Sequence, residues 1–306
     1  MVEVAVAVIE RADGAFLLAQ RPVGKVYAGW WEFPGGKVDA GESAEVALAR
    51  ELHEELGMEV RRAFPWITRV FVYPHATVRL NFFRVVEWSG EPHPKEEQAI
   101  RWQRFDASMA EPMLPANAPV LRSLALPLEY AVTSAETLGA EQMLAHLERR
   151  LASGLRLVQV RDKMLADRAR FVQSAVALAH RHGAKVLLNG DEQAARDAGA
   201  DGVHWSAARL AEAKERPQGL LCAASCHTAT ELGRAAALEC DFAVLGPVRA
   251  TSTHAGAATL KWDGFARIAR GAPLPVFAIG GLQACDLDEA RTNGAHGLAM
   301  IRGSWS

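Results

Sequence analysis

The sequence predicts an α/β protein of two domains, in which an α+β domain precedes a parallel (β/α)8 barrel. Its 306 residues exceed one typical domain and suit two. Up to residue 126, strand patterns of period two surround a few helical segments. From residue 127 to 306, short apolar runs alternate with helical segments instead. We therefore place the domain boundary between residues 126 and 127.

The first domain begins with the alternating run VEVAVAVI at 2–9, and AFLLAQR at 15–21 follows a predicted turn at Asp13-Gly14. A longer run at 69–88 reads as two strands joined near Tyr73–Ala76. Between these strands, leucines spaced by four at 48, 52 and 56 form the apolar stripe of a helix that Gly57 is placed to end. The first domain is therefore predicted to contain strands and a few helices.

The second domain repeats a simpler unit. Eight short apolar runs are predicted strands: EYAVTS, LVQVR, KVLLN, GVHW, LLCAAS, FAVLGP, VFAIGG and GLAMI. The clearest helical segments between them are 140–152, 166–181, 192–198 and 228–238. Eight strands with intervening helices predict a barrel. Because the sequence ends six residues after Met300, we expect this barrel to lack its last helix.

The overall composition excludes several classes of protein. Lys plus Arg is 34 and Asp plus Glu is 36, so the formal net charge of −2 provides no basic footprint for polymeric nucleic acid. No apolar run approaches the ~20 residues of a membrane helix. Met1 leads directly into a strand pattern rather than a signal peptide. We expect a cytoplasmic protein without membrane contact.

The four cysteines, at 222, 226, 240 and 285, all lie in the second domain. Cys222, Cys226 and His227 are close in sequence, but no second Cys/His pair accompanies them at the spacing of a zinc site. They also lie in an apolar strand-like run. We expect buried, reduced thiols.

The segment GGKVDAGESAEVALARELHEELGME, at 35–59, places several glutamates on one helix. Glu51, Glu54 and Glu55 are three or four residues apart, so their carboxylates share a face and repel one another. Hard carboxylate oxygens suit Mg2+ or Mn2+, which would turn this repulsion into coordination. Mg2+ also commonly bridges to substrate phosphates, which points to phosphoanhydride chemistry.

The alternative interpretation is a solvated acidic helix face, and for glutamates alone it would be favoured. Here the glycines, Arg50 and the aliphatic positions fit a fixed pattern as well. Seven fixed residues coincide by chance on the order of once per billion start positions. The metal-site interpretation is therefore preferred.

This segment resembles the Nudix box at every defining position, so the first domain is similar to Nudix hydrolases. The resemblance implies an α/β/α sandwich with a mixed sheet, and hydrolysis of a nucleoside diphosphate linked to another group. It also implies that Glu51, Glu54 and Glu55 are metal ligands or general base, and that Arg50 orients them. The carbonyl of Gly35 would be a further metal ligand.

Outside the box, the sequence most resembles the MutT type, the 8-oxo-dGTP diphosphatases. EFPGGK at 32–37 is shared with that type. SGEPHPKEEQ at 89–98 resembles its loop with one more metal-binding and catalytic glutamate. That residue would be Glu96, and Glu97 is the alternative. The products implied are a nucleoside monophosphate and pyrophosphate, which would clear oxidised guanine from the nucleotide pool.

The same resemblance implies three substrate-binding residues. LPANAPV at 114–120 is similar to the segment whose asparagine reads the oxidised guanine, here Asn117. An amide suits that task because it both donates and accepts hydrogen bonds, although Asn117 is equally well placed to cap a helix. Arg21 would contact the nucleotide and Phe33 would lie near the base. Ala76 departs from the pattern, since an arginine stands there in the family member compared.

The second domain resembles thiamine-phosphate synthase and its relative thiazole tautomerase. The resemblance rests on QVRDK (159–163), AGADGVH (198–204), SCHT (225–228), GPVRATST (246–253) and AIGG (278–281). It implies a site for a thiamine- or thiazole-phosphate-like ligand. The implied binding residues are Arg161, Lys163, Asn189, Ser225, Thr251, Thr253 and Gly281. His227 would serve tautomerase proton transfer or a structural role.

Three departures weaken the match to an active synthase. Gly190 and Arg209 stand where the synthase has metal-binding aspartates, and His254 replaces a lysine. Loss of two Mg2+ ligands, one of them replaced by a cation, should abolish the metal that holds a pyrophosphate leaving group. We therefore expect a working hydrolase joined to a barrel that binds a ligand or serves as a scaffold; the alternative is that such a ligand controls the hydrolase.

Overall fold

The computed structural model describes residues 1–95, 98–251 and 258–305. These residues form two compact units, Met1–Ala125 and Leu126–Ser306. Glu96, Glu97, Thr253 and His254 lie outside the described residues, so the roles expected of them remain predictions. Among the described residues, no helix combines the length and apolar character needed to cross a membrane.

The described residues of the first unit form two sheets and two α-helices. The strands are β1 (Val2–Ile9), β2 (Phe16–Gln20), β3 (Trp31–Glu32), β4 (Gly35–Lys37), β5 (Glu59–Tyr73), β6 (Ala76–Ser89) and β7 (Ile100–Gln103). The helices are α1 (Ala44–Leu56) and α2 (Ala118–Leu124). One sheet has the order β4-β1-β6-β5 and is mixed, because β1 and β6 are parallel while the other pairs are antiparallel. The second has the order β3-β2-β7.

The alternation of β1 explains why helices cover both faces of the mixed sheet. Ala5, Ala7 and Ile9 pack in one core cluster with the leucines of α1. Val6 and Val8, which point the opposite way, pack in a second cluster with residues of α2. The first unit is therefore the α/β/α sandwich that the sequence predicted.

The second unit is a closed barrel of eight parallel strands. The strands are β8 (Glu129–Val132), β9 (Leu157–Val160), β10 (Lys185–Asn189), β11 (Gly202–Trp205), β12 (Leu221–Cys226), β13 (Phe242–Leu245), β14 (Val276–Ile279) and β15 (Gly297–Met300). The helices are α3 (Ala135–Leu138), α4 (Ala140–Ala152), α5 (Arg168–Arg181), α6 (Glu192–Asp197), α7 (Ala207–Glu212), α8 (Ala229–Ala237), α9 (Lys261–Ala269) and α10 (Leu287–Thr292). The predicted barrel is confirmed.

A short segment takes the place of a helix after β15. Residues 301–305 form turns, and no helix follows β15 among the described residues. Trp305 is buried and its Nε1 donates a hydrogen bond to the carbonyl of Val132, 2.8 Å away at the end of β8. Arg150 of α4 donates to the carbonyl of Ser304. This segment thus connects the last strand to the first strand of the barrel and to α4.

Candidate functional site

Helix α1 is fixed at both ends, which sets the direction of its acidic face. The Ser43 side chain accepts a hydrogen bond from the Val46 amide at the start of the helix. Gly57 ends it in the left-handed conformation, with φ of 67°. Leu48 and Leu52 are buried against the sheet. The glutamates on the other side of the helix are consequently held at the surface of the unit.

The guanidinium of Arg50 forms hydrogen bonds with the carboxylates of Glu42, Glu51 and Glu54. Its guanidinium makes two hydrogen bonds of 3.0 Å to Glu42, and its Nη1 donates to Glu51 at 3.0 Å and to Glu54 at 3.2 Å. These bonds, first of all the bond to Glu42, raise the pKa of Arg50, and the pKa of Glu42 is lowered in turn. Since one nitrogen serves both Glu51 and Glu54, these two carboxylates converge on the same cation.

Two adjacent glycines leave room for this arrangement. A Cβ atom on Gly36 would lie 2.0–2.3 Å from the carboxylate atoms of Glu51. A Cβ on Gly35 would lie 2.1 Å from the backbone oxygen of Ala5, and Gly35 has φ of 148°. Gly36 therefore makes space for a functional side chain, whereas Gly35 makes space for the neighbouring strand.

The loop after β6 is attached to the end of α1. His93 N donates to the carbonyl of Leu56, and Lys95 N donates to the carbonyl of Glu55 at 2.9 Å. The Lys95 ammonium donates to the carbonyl of His53 at 2.8 Å. The residue that precedes Glu96 in sequence is thus held beside one of the predicted metal ligands.

The donor chemistry of α1 fits a hard divalent cation. Glu51, Glu54 and Glu55 supply carboxylate oxygens, and Gly35 adds a backbone carbonyl on β4, which pairs with β1 at Val6. Within residues 1–95, 98–251 and 258–305, no three acidic, histidine or cysteine side chains already converge as a metal site. Glu51 and Glu54 are paired with the guanidinium of Arg50.

Asn117 lies at the start of α2 but does not cap it. A 3-10 helix at Pro115–Asn117 leads into α2, so Asn117 has φ of −85° and ψ of −24°, and its side chain makes no cap hydrogen bond. The capping alternative is therefore wrong. The residue is 4% exposed, and its Nδ2 contacts the sulfur of Met113 at 3.6 Å, a weak acceptor. The amide keeps hydrogen-bonding capacity for a ligand.

The other two predicted substrate residues differ in their surroundings. Nη1 of Arg21 donates hydrogen bonds to both carboxylate oxygens of Glu32, at 2.7 and 2.8 Å. Burial raises the pKa of Glu32, an effect that Arg21 opposes. Phe33 is buried and packs against Phe16 and Phe82. Glu32 was not predicted as a site residue, although it is the first residue of the EFPGGK segment that resembles MutT-type enzymes.

The predicted ligand residues of the second unit gather at one end of the barrel. Asn189 is the last residue of β10, Ser225 lies near the end of β12, and Gly281 follows β14. Others also follow strands, namely Arg161, Lys163, His227 and Thr251. Because all strands are parallel, their carboxyl ends meet at one face, where ligands of such barrels bind. His227 is exposed there, and its Nδ1 lies 3.4 Å from Glu231.

A series of hydrogen-bonded polar side chains lies in the interior of the barrel below this face. The ring of His204 lies between the Tyr130 hydroxyl, 3.1 Å from Nδ1, and the Ser225 hydroxyl, 2.8 Å from Nε2. Asn189 donates to the carbonyl of His204. Burial lowers the pKa of His204 to about 3. His204 was not predicted as a site residue, although it belongs to the AGADGVH segment.

The two positions that depart from the synthase pattern have different surroundings. A Cβ on Gly190 would meet nothing closer than 3.9 Å, the nearest atom being Nη2 of Arg168. The guanidinium of Arg209 lies over the ring of Trp205, 5.8 Å from its centre, on the outer side of β11. Arg209 lies on α7 and borders a cleft of about 460 Å³ outside the barrel; its place beside the metal position of the synthase stays a prediction.

Comparisons with known proteins assign each unit to a family. Residues 1–124 match the NUDIX domain, and residues 129–303 match thiamine monophosphate synthase. The chain is 40% identical over 124 residues to an 8-oxo-dGTP diphosphatase from Haemophilus influenzae, covering 40% of this chain and 91% of that protein. It is 39% identical over 123 residues to a CTP pyrophosphohydrolase from Escherichia coli, covering 40% and 90%.

A relative of the second unit extends further along the chain. A thiamine-phosphate synthase from Thermosynechococcus vestitus is 31% identical over 275 residues, which cover 84% of this chain and 76% of that protein. The chain therefore belongs to two families at once, as a Nudix hydrolase through its first unit and as a member of the thiamine monophosphate synthase family through its second.

Proposed function

We propose that the first unit hydrolyses 8-oxo-dGTP to 8-oxo-dGMP and pyrophosphate, and so removes oxidised guanine from the nucleotide pool. The observation that carries this proposal is Asn117, a buried amide that is not used as a helix cap. Such an amide can donate to one edge atom of a base and accept from another. The likeness to the Haemophilus influenzae 8-oxo-dGTP diphosphatase supports the same substrate.

Nudix hydrolases in general need a divalent metal, and we propose Mg2+ for this one, with Mn2+ as the alternative. Glu51, Glu54, Glu55 and the Gly35 carbonyl would hold it, with Glu96 as a further ligand. When bound, the ion neutralises the triphosphate and lowers the pKa of a water molecule. One of the carboxylates removes the proton from the attacking water. Arg50 keeps Glu51 and Glu54 converged for this task.

The competing substrate is another nucleotide, and the Escherichia coli relative makes CTP the specific rival. A panel of 8-oxo-dGTP, dGTP, CTP and a sugar nucleotide, measured as kcat/KM with Mg2+ and with Mn2+, separates the two. We expect 8-oxo-dGTP to be preferred over both dGTP and CTP. Preference for CTP would replace the proposed substrate while leaving the hydrolase assignment in place.

For the second unit, we propose binding of a thiamine- or thiazole-phosphate-like ligand without synthase activity. Gly190 and Arg209 both lack a carboxylate for Mg2+, so the pyrophosphate of a synthase substrate would have no metal to hold it. The cluster of Arg161, Lys163 and Asn189 at the carboxyl ends of the strands supports phosphate binding. Through such a ligand, the barrel would regulate the hydrolase.

Calorimetry with thiamine phosphate and assays of hydrolysis in its presence test this second proposal. We expect binding that weakens in Arg161→Ala, and no formation of thiamine phosphate from pyrimidine diphosphate and thiazole phosphate with any Mg2+ concentration. Measured synthase turnover would overturn the proposal. Absence of binding would leave the barrel as a scaffold.

A further inference from the structure

Two buried thiols of the barrel lie side by side. Cys222, on β12, and Cys240, just before β13, have Sγ atoms 3.8 Å apart, and they are 0% and 5% exposed. Asp241 joins their two segments, because its amide donates to the carbonyl of Cys222 and its carboxylate accepts from the Cys222 amide. The two sulfurs are therefore held as neighbours by the backbone around them.

The guanidinium of Arg216 lies beside this pair of thiols. Arg216 donates to the Asp241 carboxylate at 2.7 Å and to the carbonyl of Glu239 at 2.7 Å, which brings its guanidinium next to Cys240. The hydrogen bond with Cys222, and then the charge of Arg216, lower the pKa of Cys240. The same hydrogen bond raises the pKa of Cys222. A low-pKa thiol beside a second thiol is the usual arrangement of an oxidisable cysteine pair.

Arg216 also borders solvent. With Trp205, Pro217 and Gln218, it lines the cleft of about 460 Å³ outside the barrel. The cleft is large enough for a small neutral oxidant to approach Arg216. The thiol pair is thus buried but lies behind a side chain that borders solvent.

We propose that Cys222 and Cys240 form a reversible internal disulfide when the protein meets hydrogen peroxide. The Cys240 thiolate attacks one peroxide oxygen, so that an S–O bond forms, the O–O bond breaks, and the departing hydroxide takes up the thiol proton as water. Cys222 sulfur then attacks Cys240 sulfur; the S–O bond breaks and a second water leaves with the Cys222 proton. Two thiols are oxidised and one peroxide is reduced to two waters.

The experiment uses the full chain with Cys285→Ser, which removes the exposed thiol that could form bonds between molecules. After treatment with hydrogen peroxide, peptide mass spectrometry under non-reducing conditions should find a peptide pair that joins Cys222 to Cys240. The yield should not depend on protein concentration, and dithiothreitol should reverse it. Cys226 is a matched control: it is equally buried, and burial raises its pKa to about 12, so it should stay reduced.

Two substitutions test the mechanism. Cys240→Ser should abolish the linked peptide pair, and Arg216→Gln should slow its formation severalfold, because the thiolate fraction of Cys240 falls. Circular dichroism establishes that each variant is folded. The proposal is overturned if both thiols of the native protein stay reduced in peroxide, or if the link appears only after the protein is unfolded in urea.

Discussion

Glu54 and Glu55 are the residues on which the hydrolytic role of α1 depends most directly. We expect Glu54→Gln and Glu55→Gln each to lower turnover about a hundredfold or more, as loss of a ligand or base does, while leaving the fold intact. Glu54 is largely exposed, so its substitution removes little packing. Steady-state kinetics and circular dichroism measure the two effects. Glu45→Gln, in the exposed first turn of the same helix, is the control, and near-normal turnover in both variants would contradict the metal-helix assignment.

Asn117 tests recognition of the base separately from hydrolysis. We expect Asn117→Ala to lower kcat/KM for 8-oxo-dGTP about tenfold or more relative to that for dGTP, because an unmade hydrogen bond to a buried base costs on the order of 1–3 kcal/mol. Ser123→Ala is the matched control, since its hydroxyl donates within α2 to the carbonyl of Pro119. If both substrates are affected equally, Asn117 does not read the base.

The sequence predicted how the side chains of α1 come together better than it predicted the surroundings of Asn117. The spacing of α1 is local, so a helix pattern alone places Glu51, Glu54 and Arg50 together. Whether Asn117 caps α2 depends on the backbone before it, and the 3-10 helix there puts Asn117 in a helical rather than an extended conformation. Nothing in the local residue pattern distinguishes these two conformations.

At the scale of elements, the two glycines of β4 should respond differently to the same substitution. In Gly36→Ala, the new Cβ meets the far end of the Glu51 side chain, which can move, so we expect activity to fall while stability is largely kept. In Gly35→Ala, it meets the backbone of Ala5 at a positive φ, so we expect the sheet itself to be destabilised. Urea unfolding and kinetics of both variants test this contrast. Equal loss of stability in the two would contradict it.

The strands of the barrel were predictable because each is a short, continuous apolar run bounded by polar residues. Four barrel helices were not predicted: α3, α7, α9 and α10, with four, six, nine and six residues. Helices this short show little of the helical period, although α6 and α8, of six and nine residues, were predicted. In the first unit, β5 begins at Glu59 rather than Arg69. It is an edge strand, and its pairing with β6 shifts register around Arg62 and again between Pro65 and Thr68, which breaks the regular alternation.

At the scale of the whole barrel, we expect the burial of His204 to lower the free energy of unfolding at acidic pH. The pKa of His204 is lowered to about 3 in the folded chain, against about 6.5 when unfolded. Below pH 6.5 the unfolded chain therefore binds a proton that the folded barrel excludes, so stability falls by up to about 1.4 kcal/mol per pH unit between pH 6.5 and 3. Above pH 6.5 this group has no effect.

Hydrogen exchange of the amides in the barrel strands at pH 7, 6 and 5 measures this dependence within the intact chain. His204→Gln should flatten it, because an amide can bond Tyr130 and Ser225 without titrating. His180→Gln, on the exposed surface near Asp201, is the control. An unchanged pH dependence in His204→Gln would show that other groups cause the acid sensitivity.

The pairing of β8 with β15 determines how early the second unit can fold while the chain is synthesised on the ribosome. Both sheets of the first unit are complete by Gln103, and α2 ends at Leu124, so this unit can assemble while the rest is still being synthesised. The barrel cannot, because β15, the partner of β8, is the last of the eight strands to be synthesised, and Trp305 follows it. Until then β8 and β14 are open edges, and nascent chains arrested before β15 should be the ones that aggregate.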